Sequence, residues 1–209
     1  MKPDAIIFDI DGTLWNACGA TAIGWSAGLA SLGIDKKVSY REIERVAGNT
    51  IEVAVDILFS GLRAQHPELT ETLAKYEADE IQTRGGIFYP HSIRGIKELA
   101  KNYKIFLVSN CPEWYLRAFL ERSGLRQILT DFDCHGLSGM PKDEMLARLS
   151  FRHCLENPVY IGDTAMDKEA ASLAGMGFIQ VSYGFGLVED RLNSFDSFAS
   201  LLEYLLERK

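Results

Sequence analysis

The chain has no apolar stretch long enough to cross a bilayer, and the run after Met1-Lys2-Pro3-Asp4 is too short for a secretory signal, so a cytoplasmic protein is expected. Its cysteines, Cys18, Cys111, Cys134 and Cys154, are scattered, with neither CxxC spacing nor a Cys/His cluster. That excludes a zinc site of the usual spacing and leaves reduced thiols as the simplest state. No run of lysine or arginine occurs and the formal net charge is −7, which argues against a nucleic-acid surface. The same acidity means that a phosphorylated ligand needs local help, from a metal or a placed lysine. Internal repeats and low-complexity tracts are missing too. What remains, 209 residues of which 47% are hydrophobic and 24% charged, is the composition of an ordinary globular protein. The length suits one large α/β domain, or a core with a small insertion.

The stretch that organises the chain is Ala5-Ile6-Ile7-Phe8-Asp9-Ile10-Asp11-Gly12-Thr13-Leu14. A short apolar run that is β-branched and aromatic predicts a strand buried on both faces, as in a parallel sheet. Ligands of open α/β sheets gather at the carboxyl ends of such strands, which is where Asp9 stands. In an extended chain Asp9 and Asp11 point to the same side, and Gly12 allows a sharp turn after them. Two adjacent carboxylates repel one another, and the arrangement calls for a cation, a shared proton or a catalytic task.

Helical periodicity follows from about Ala17 to Leu32, with Gly33 as a stop. Ser39 and Glu42 have the spacing of a capping box. Thr50 opens a further segment, and Thr70 to Arg84 has Leu73, Tyr76 and Ile81 at helical spacings before Gly85-Gly86. The block from Trp15 to Arg84 thus reads as an all-helical insertion directly after the first strand. Beyond it α and β alternate. Pro90 is placed at the start of one helix and Pro112 at the first position of another. Strands are expected at Lys104–Val108, Phe132–Cys134, Pro158–Ile161 and Gly177–Val181. Helices are expected after Pro141-Lys142, over Ala165–Leu173 and at the end of the chain. The alternation predicts a Rossmann-like, doubly wound parallel sheet. Residues 1–14 and 85–209 would form this core, and residues 15–84 a helical cap domain.

Three of these strands end in polar residues: Asp9/Asp11, Ser109/Asn110 and Asp163. Lys142 opens a helix, and Asp167 follows Asp163 by one helical turn. Each has an ordinary reading, since Ser109 and Asp163 are also helix-cap residues and most lysines are solvated. Taken together, four carboxylates, a hydroxyl and an ammonium converging on one sheet edge form a candidate catalytic site.

Phe8-Asp9-Ile10-Asp11-Gly12-Thr13-Leu14, Val108-Ser109-Asn110, Lys142, and Ile161-Gly162-Asp163-Thr164-Ala165-Met166-Asp167 resemble, in order, the four motifs of the haloacid dehalogenase-like superfamily. The layout is that of its phosphatase branch with a helical cap, similar to phosphoglycolate phosphatases. The resemblance implies that Asp9 is a nucleophile forming an aspartyl-phosphate and that Asp11 is the general acid/base. It implies Mg²⁺ bound by Asp9, the Asp11 carbonyl and Asp163, with Asp167 farther out or water-bridged. Ser109, Asn110 and Lys142 would bind the phosphate. Asp11 favours phosphate esters as substrates, because dehalogenases lack this aspartate and the phosphonate-cleaving relatives have a small residue there. Asn16 and Lys142-Asp143 depart from the commoner Asp and Lys-Pro of capped relatives. Trp15, Asn16, Asn49 and Thr50 are the candidates for substrate contact. The expected activity is hydrolysis of small phosphorylated metabolites; the alternatives are a phosphomutase and a non-catalytic phosphate-binding scaffold. A mutase needs a second phosphate site, and Gly48-Asn49-Thr50-Ile51 holds no arginine to build one.

Overall fold

A computed structural model describes residues 2–186 and 194–207. Strand β1 (Ala5–Phe8) is followed by β2 (Trp15–Asn16) and by helices α1 (Cys18–Ser31), α2 (Tyr40–Val46), α3 (Ile51–Leu58), α4 (Leu62–Gln65) and α5 (Leu69–Arg84). Next come β3 (Ile87–Phe88), α6 (Ser92–Leu99), β4 (Lys104–Ser109), α7 (Glu113–Ser123), β5 (Asp131–Cys134), α8 (His135–Ser138) and α9 (Lys142–His153). The described chain closes with β6 (Pro158–Gly162), α10 (Ala165–Leu173), β7 (Gly177–Val181), β8 (Ser194–Phe195) and α11 (Phe198–Glu207).

Six strands form one sheet in the order β5-β4-β1-β6-β7-β8, parallel throughout. All four residues of β1 are buried, and their period of two assigns them to opposite faces. Ile6 and Phe8 join an apolar layer with Ile96, Leu116, Phe119 and Leu201 from α6, α7 and α11. Ala5 and Ile7 join the layer of Met145, Leu149 and Ala171 from α9 and α10. The chain runs outward from β1 to β4 and β5, then returns to β6 on the other side of β1. The carboxyl end of β1 is therefore the switch point of the sheet, where such folds open a crevice.

Helices α1, α2, α3 and α5 bury a separate apolar cluster that includes Trp25, Leu29, Ile43, Val55 and Leu73. The capping box opens α2 as its sequence predicts, with Ser39 accepting from the Glu42 N–H. The insertion is not wholly helical, however. Trp15–Asn16 is extended and pairs antiparallel with Ile87–Phe88, so the chain enters and leaves the helical segment through a two-stranded ribbon. Ring contacts of Trp15 with Phe88, Tyr115 and Phe119 hold that ribbon on the sheet. Two proline expectations shift as well: α6 begins at Ser92 behind His91, two residues after Pro90, and Pro112 is the cap residue of α7 rather than its first residue. Both sit where the missing N–H is of no consequence.

Helix α1 lies so close to α5 that a Cβ on Gly24 would stand 2.7 Å from the Glu77 Cα and the Tyr76 carbonyl oxygen. The obstacle is backbone, which no side-chain rotation relieves. Gly19, in the same helix, has nothing within 4 Å of that position. Gly24→Ala is therefore expected to lower stability by about 1–3 kcal/mol through overpacking. Gly19→Ala is expected to raise it by up to about 1 kcal/mol through helix propensity. Thermal unfolding of the two variants checks this: equal stabilisation by both would contradict the close approach of α1 and α5.

Candidate active site

The turn after β1 sets the site's geometry. The Ile10 carbonyl accepts from the N–H groups of Thr13, Leu14 and Trp15 at 3.3, 2.8 and 3.1 Å, folding Asp11 to Leu14 into a tight loop. Gly12 sits at φ +76°, and a Cβ there would fall 2.2 Å from an Asp163 carboxylate oxygen. Only glycine combines that backbone with that approach. From a second loop, Cβ atoms on Gly184 and Gly186 would collide with the Asp163 Cβ and carbonyl oxygen at 2.4 and 2.1 Å. The Phe185 and Gly186 N–H groups donate to Asp163 Oδ2 at 2.7 and 3.3 Å. Glycines thus wrap Asp163 from two loops.

Asp9, directly after β1, is buried, and Lys142, the first residue of α9, is only 6% exposed. Lys142 Nζ donates to Asp9 Oδ1 at 2.9 Å and to Asp167 Oδ1 at 2.6 Å. The Tyr160 hydroxyl lies 3.4 and 3.3 Å from the same two oxygens and 3.0 Å from the Val108 carbonyl oxygen. Asp167 is held at its other oxygen by the Thr164 N–H and hydroxyl, at 2.9 and 2.7 Å, in the capping box that opens α10. Lys142 is therefore no solvated side chain, and Asp167 turns inward to support it.

The charges do not balance. Asp9, Asp163 and Asp167 each offer a carboxylate oxygen, all within 4.8 Å of one another, against one ammonium. Burial raises the Asp9 pKa to about 6, with Lys142 lowering it and Asp167 raising it. Burial, then Asp167 and Asp9, push Asp163 well above the usual carboxylate range. Burial also opposes ionisation of Asp167, but Lys142 overrides it and holds that carboxyl below its ordinary value. Asp163 Oδ1 is buried and has no hydrogen-bond partner among the described residues. An all-oxygen set that is short of positive charge and carries an orphaned carboxylate oxygen fits a hard divalent cation such as Mg²⁺.

Asp11 is not part of that cluster. Its Oδ1 accepts a short hydrogen bond from the Tyr115 hydroxyl, which accepts in turn from the Trp15 indole N–H at 2.9 Å. Burial, then the charge of Asp9, raise the Asp11 pKa to about 7. Asp11 borders a cavity of about 80 Å³ between the sheet edge and the helical segment.

The remaining expected residues are distributed as follows. Ser109 is buried at the end of β4, its hydroxyl accepting from the Cys111 N–H at 3.4 Å. The Asn110 side chain, expected on phosphate, instead donates to the Gly48 carbonyl at 2.9 Å and ties the sheet edge to the helical segment. Asn49 lines the Asp11 cavity; Thr50 precedes α3, with no side-chain cap hydrogen bond, and lines a neighbouring cleft beside Asn110. Trp15 is fully buried and packs at the base of the ribbon, and the Asn16 side-chain amide donates to the Tyr40 hydroxyl at 2.5 Å. Tyr115, Tyr160 and the Gly184–Gly186 cradle carry the site without having been anticipated.

Comparison with known proteins identifies the family. The sequence profile of the haloacid dehalogenase-like hydrolase family matches residues 6–181. A phosphoglycolate phosphatase of Psychrobacter arcticus is 31% identical over 229 residues, covering 99% of this chain and 97% of its own. One from Vibrio cholerae is 27% identical, covering 96% of each chain. A solved haloacid dehalogenase-like hydrolase of Streptococcus pneumoniae superposes with a TM-score of 0.82 at 20% identity, over 97% of this chain and 98% of that one, and so shares the fold. The protein belongs to the haloacid dehalogenase-like hydrolase family, among relatives named as phosphatases.

Proposed function

We propose that the protein is a magnesium-dependent phosphatase that hydrolyses small phosphorylated metabolites through an aspartyl-phosphate on Asp9. The observation that carries this reading is Asp9 itself. It stands at the switch point of the sheet, paired with a buried Lys142, beside an Asp163 oxygen that has no hydrogen-bond partner among the described residues. Asp9, Asp163 and the Asp11 backbone carbonyl would hold the Mg²⁺, with Asp167 outside them, since Lys142 and Thr164 already occupy its oxygens. Bound there, the ion supplies positive charge that offsets the charge of the transferring phosphoryl group.

The residues then divide the work. An Asp9 carboxylate oxygen attacks phosphorus, the bond to the ester oxygen breaks, and that oxygen takes the proton of Asp11. With its pKa raised to about 7, Asp11 retains a proton near neutrality and can take one back. Tyr115 fixes its orientation. In the second step Asp11 removes a proton from water, the water oxygen bonds to phosphorus, and the bond to Asp9 breaks to release inorganic phosphate. Lys142 and Ser109 bind the phosphoryl oxygens throughout. Residues 15–84 act as the cap over a core of residues 1–14 and 85–209, and Asn110 to Gly48 is one of the contacts through which the two communicate.

Hydrolysis is favoured over mutase chemistry because the described residues that line the Asp11 cavity include no arginine or lysine. Arg63 lines the adjoining cleft and is paired with Asp56 at 2.7 Å. A ³¹P time course on a turned-over monophosphate is expected to show inorganic phosphate accumulating without a bisphosphate activator. Isomerisation without phosphate release would favour the mutase.

Asp9→Asn is expected to abolish turnover while the protein stays folded by circular dichroism, since an amide is no nucleophile here. Near-normal activity of a sequence-verified variant would end the covalent reading. Asp163→Ala is expected to lose Mg²⁺ binding by calorimetry and activity together, by at least about 10²-fold. Full activity of chelator-treated wild type would exclude the metal.

A further inference from the structure

The cavity beyond Asp11 has an acidic far wall. Glu77 of α5 lines it and is 8% exposed. Thr21 Oγ1 and Trp25 Nε1, both from α1, donate to its two carboxylate oxygens at 2.8 Å each. Both donors are neutral, and no ion pair to Glu77 exists among the described residues. A carboxylate buried without a cation is unfavourable, and a neutral side chain suffices to join two helices. The rest of the wall sets Cys18, Thr21, Trp25 and Asn49 among apolar side chains of α2 and α3, with no lysine or arginine among the described residues.

Asp11 tells which part of a substrate this cavity receives. As the group that protonates the departing oxygen, it faces the leaving group, so the space beyond it holds the alcohol portion of the ester. About 80 Å³ accommodates a chain of a few heavy atoms, well short of a nucleoside. Burial raises the Glu77 pKa to about 7, against the hydrogen bonds from Trp25 and Thr21. Above that pH a leaving group with a carboxylate would bring its charge toward an ionised Glu77 in a low-dielectric space, with no lysine or arginine lining it among the described residues. An ammonium or hydroxyl would instead donate to the lone pairs that Thr21 and Trp25 leave free.

We propose that Glu77 is a specificity-determining residue, and that the enzyme takes short phosphomonoesters whose leaving group carries hydrogen-bond donors, an amino alcohol ahead of a polyol, and rejects carboxylate-bearing ones such as phosphoglycolate. The inference rests on the phosphatase reading, and it sets this chain apart from the substrate in its relatives' names.

The test is kcat/KM of the full-length protein with Mg²⁺ on phosphoethanolamine, glycerol 3-phosphate and phosphoglycolate, with p-nitrophenyl phosphate as reference. Wild type is expected to favour phosphoethanolamine over phosphoglycolate by about tenfold or more, with glycerol 3-phosphate between them. In Glu77→Gln that ratio is expected to fall by about tenfold, since the amide keeps the shape and removes the charge. Preference of wild type for phosphoglycolate would overturn the proposal even where the variant fails to fold. So would an unchanged ranking in folded Glu77→Gln, which would make Glu77 a helix cross-link only. In either case turnover of p-nitrophenyl phosphate leaves the phosphatase reading standing; failure to hydrolyse any ester, the aryl phosphate included, would overturn both.

Discussion

A buried ammonium between two carboxylates holds the site together. Lys142 joins Asp9 after the central strand to Asp167 in α10, and so ties three segments that lie far apart in the chain. None of the three is tolerable alone in that position. Removing one member of a buried ionic cluster leaves an uncompensated charge, which costs roughly 3–5 kcal/mol. Fold and chemistry thus share one constraint: the polar cluster is close to satisfied, with one buried oxygen of Asp163 left without a hydrogen-bond partner among the described residues.

Around that cluster the two sides of the chain are joined by direct hydrogen bonds. Asn110 reaches from the end of β4 to the Gly48 carbonyl, and Trp15, at the entrance to the helical segment, holds Tyr115, which holds Asp11. Asp11 is therefore oriented by the same ribbon that attaches the helices to the sheet.

Much of this was legible in the sequence where a local pattern carried it. The apolar run ending at Asp9, the Ser39/Glu42 box and the Ala165–Leu173 helix need only near neighbours to be read, and their observed bounds follow. The β2–β3 ribbon was not legible, because two-residue strands have no periodicity and owe their existence to a partner some seventy residues away. Tyr160 reads as filler in an apolar strand, and its hydroxyl acquires meaning only beside Asp9 and Asp167. Glu77 stands among other acidic residues of a polar helix, and only the close approach of α1 shows that it points inward. Asn110 and Trp15 sit beside the motifs in sequence, yet their side chains serve packing and attachment, which adjacency does not reveal.

The central claim is that Asp9 carries the phosphoryl group. Rapid acid quench of the enzyme during turnover, followed by peptide mass spectrometry, tests it most directly. The account predicts a phosphoryl adduct on the peptide containing Asp9, formed and lost at rates compatible with turnover. Turnover without any such adduct, or an adduct on another residue, would contradict it.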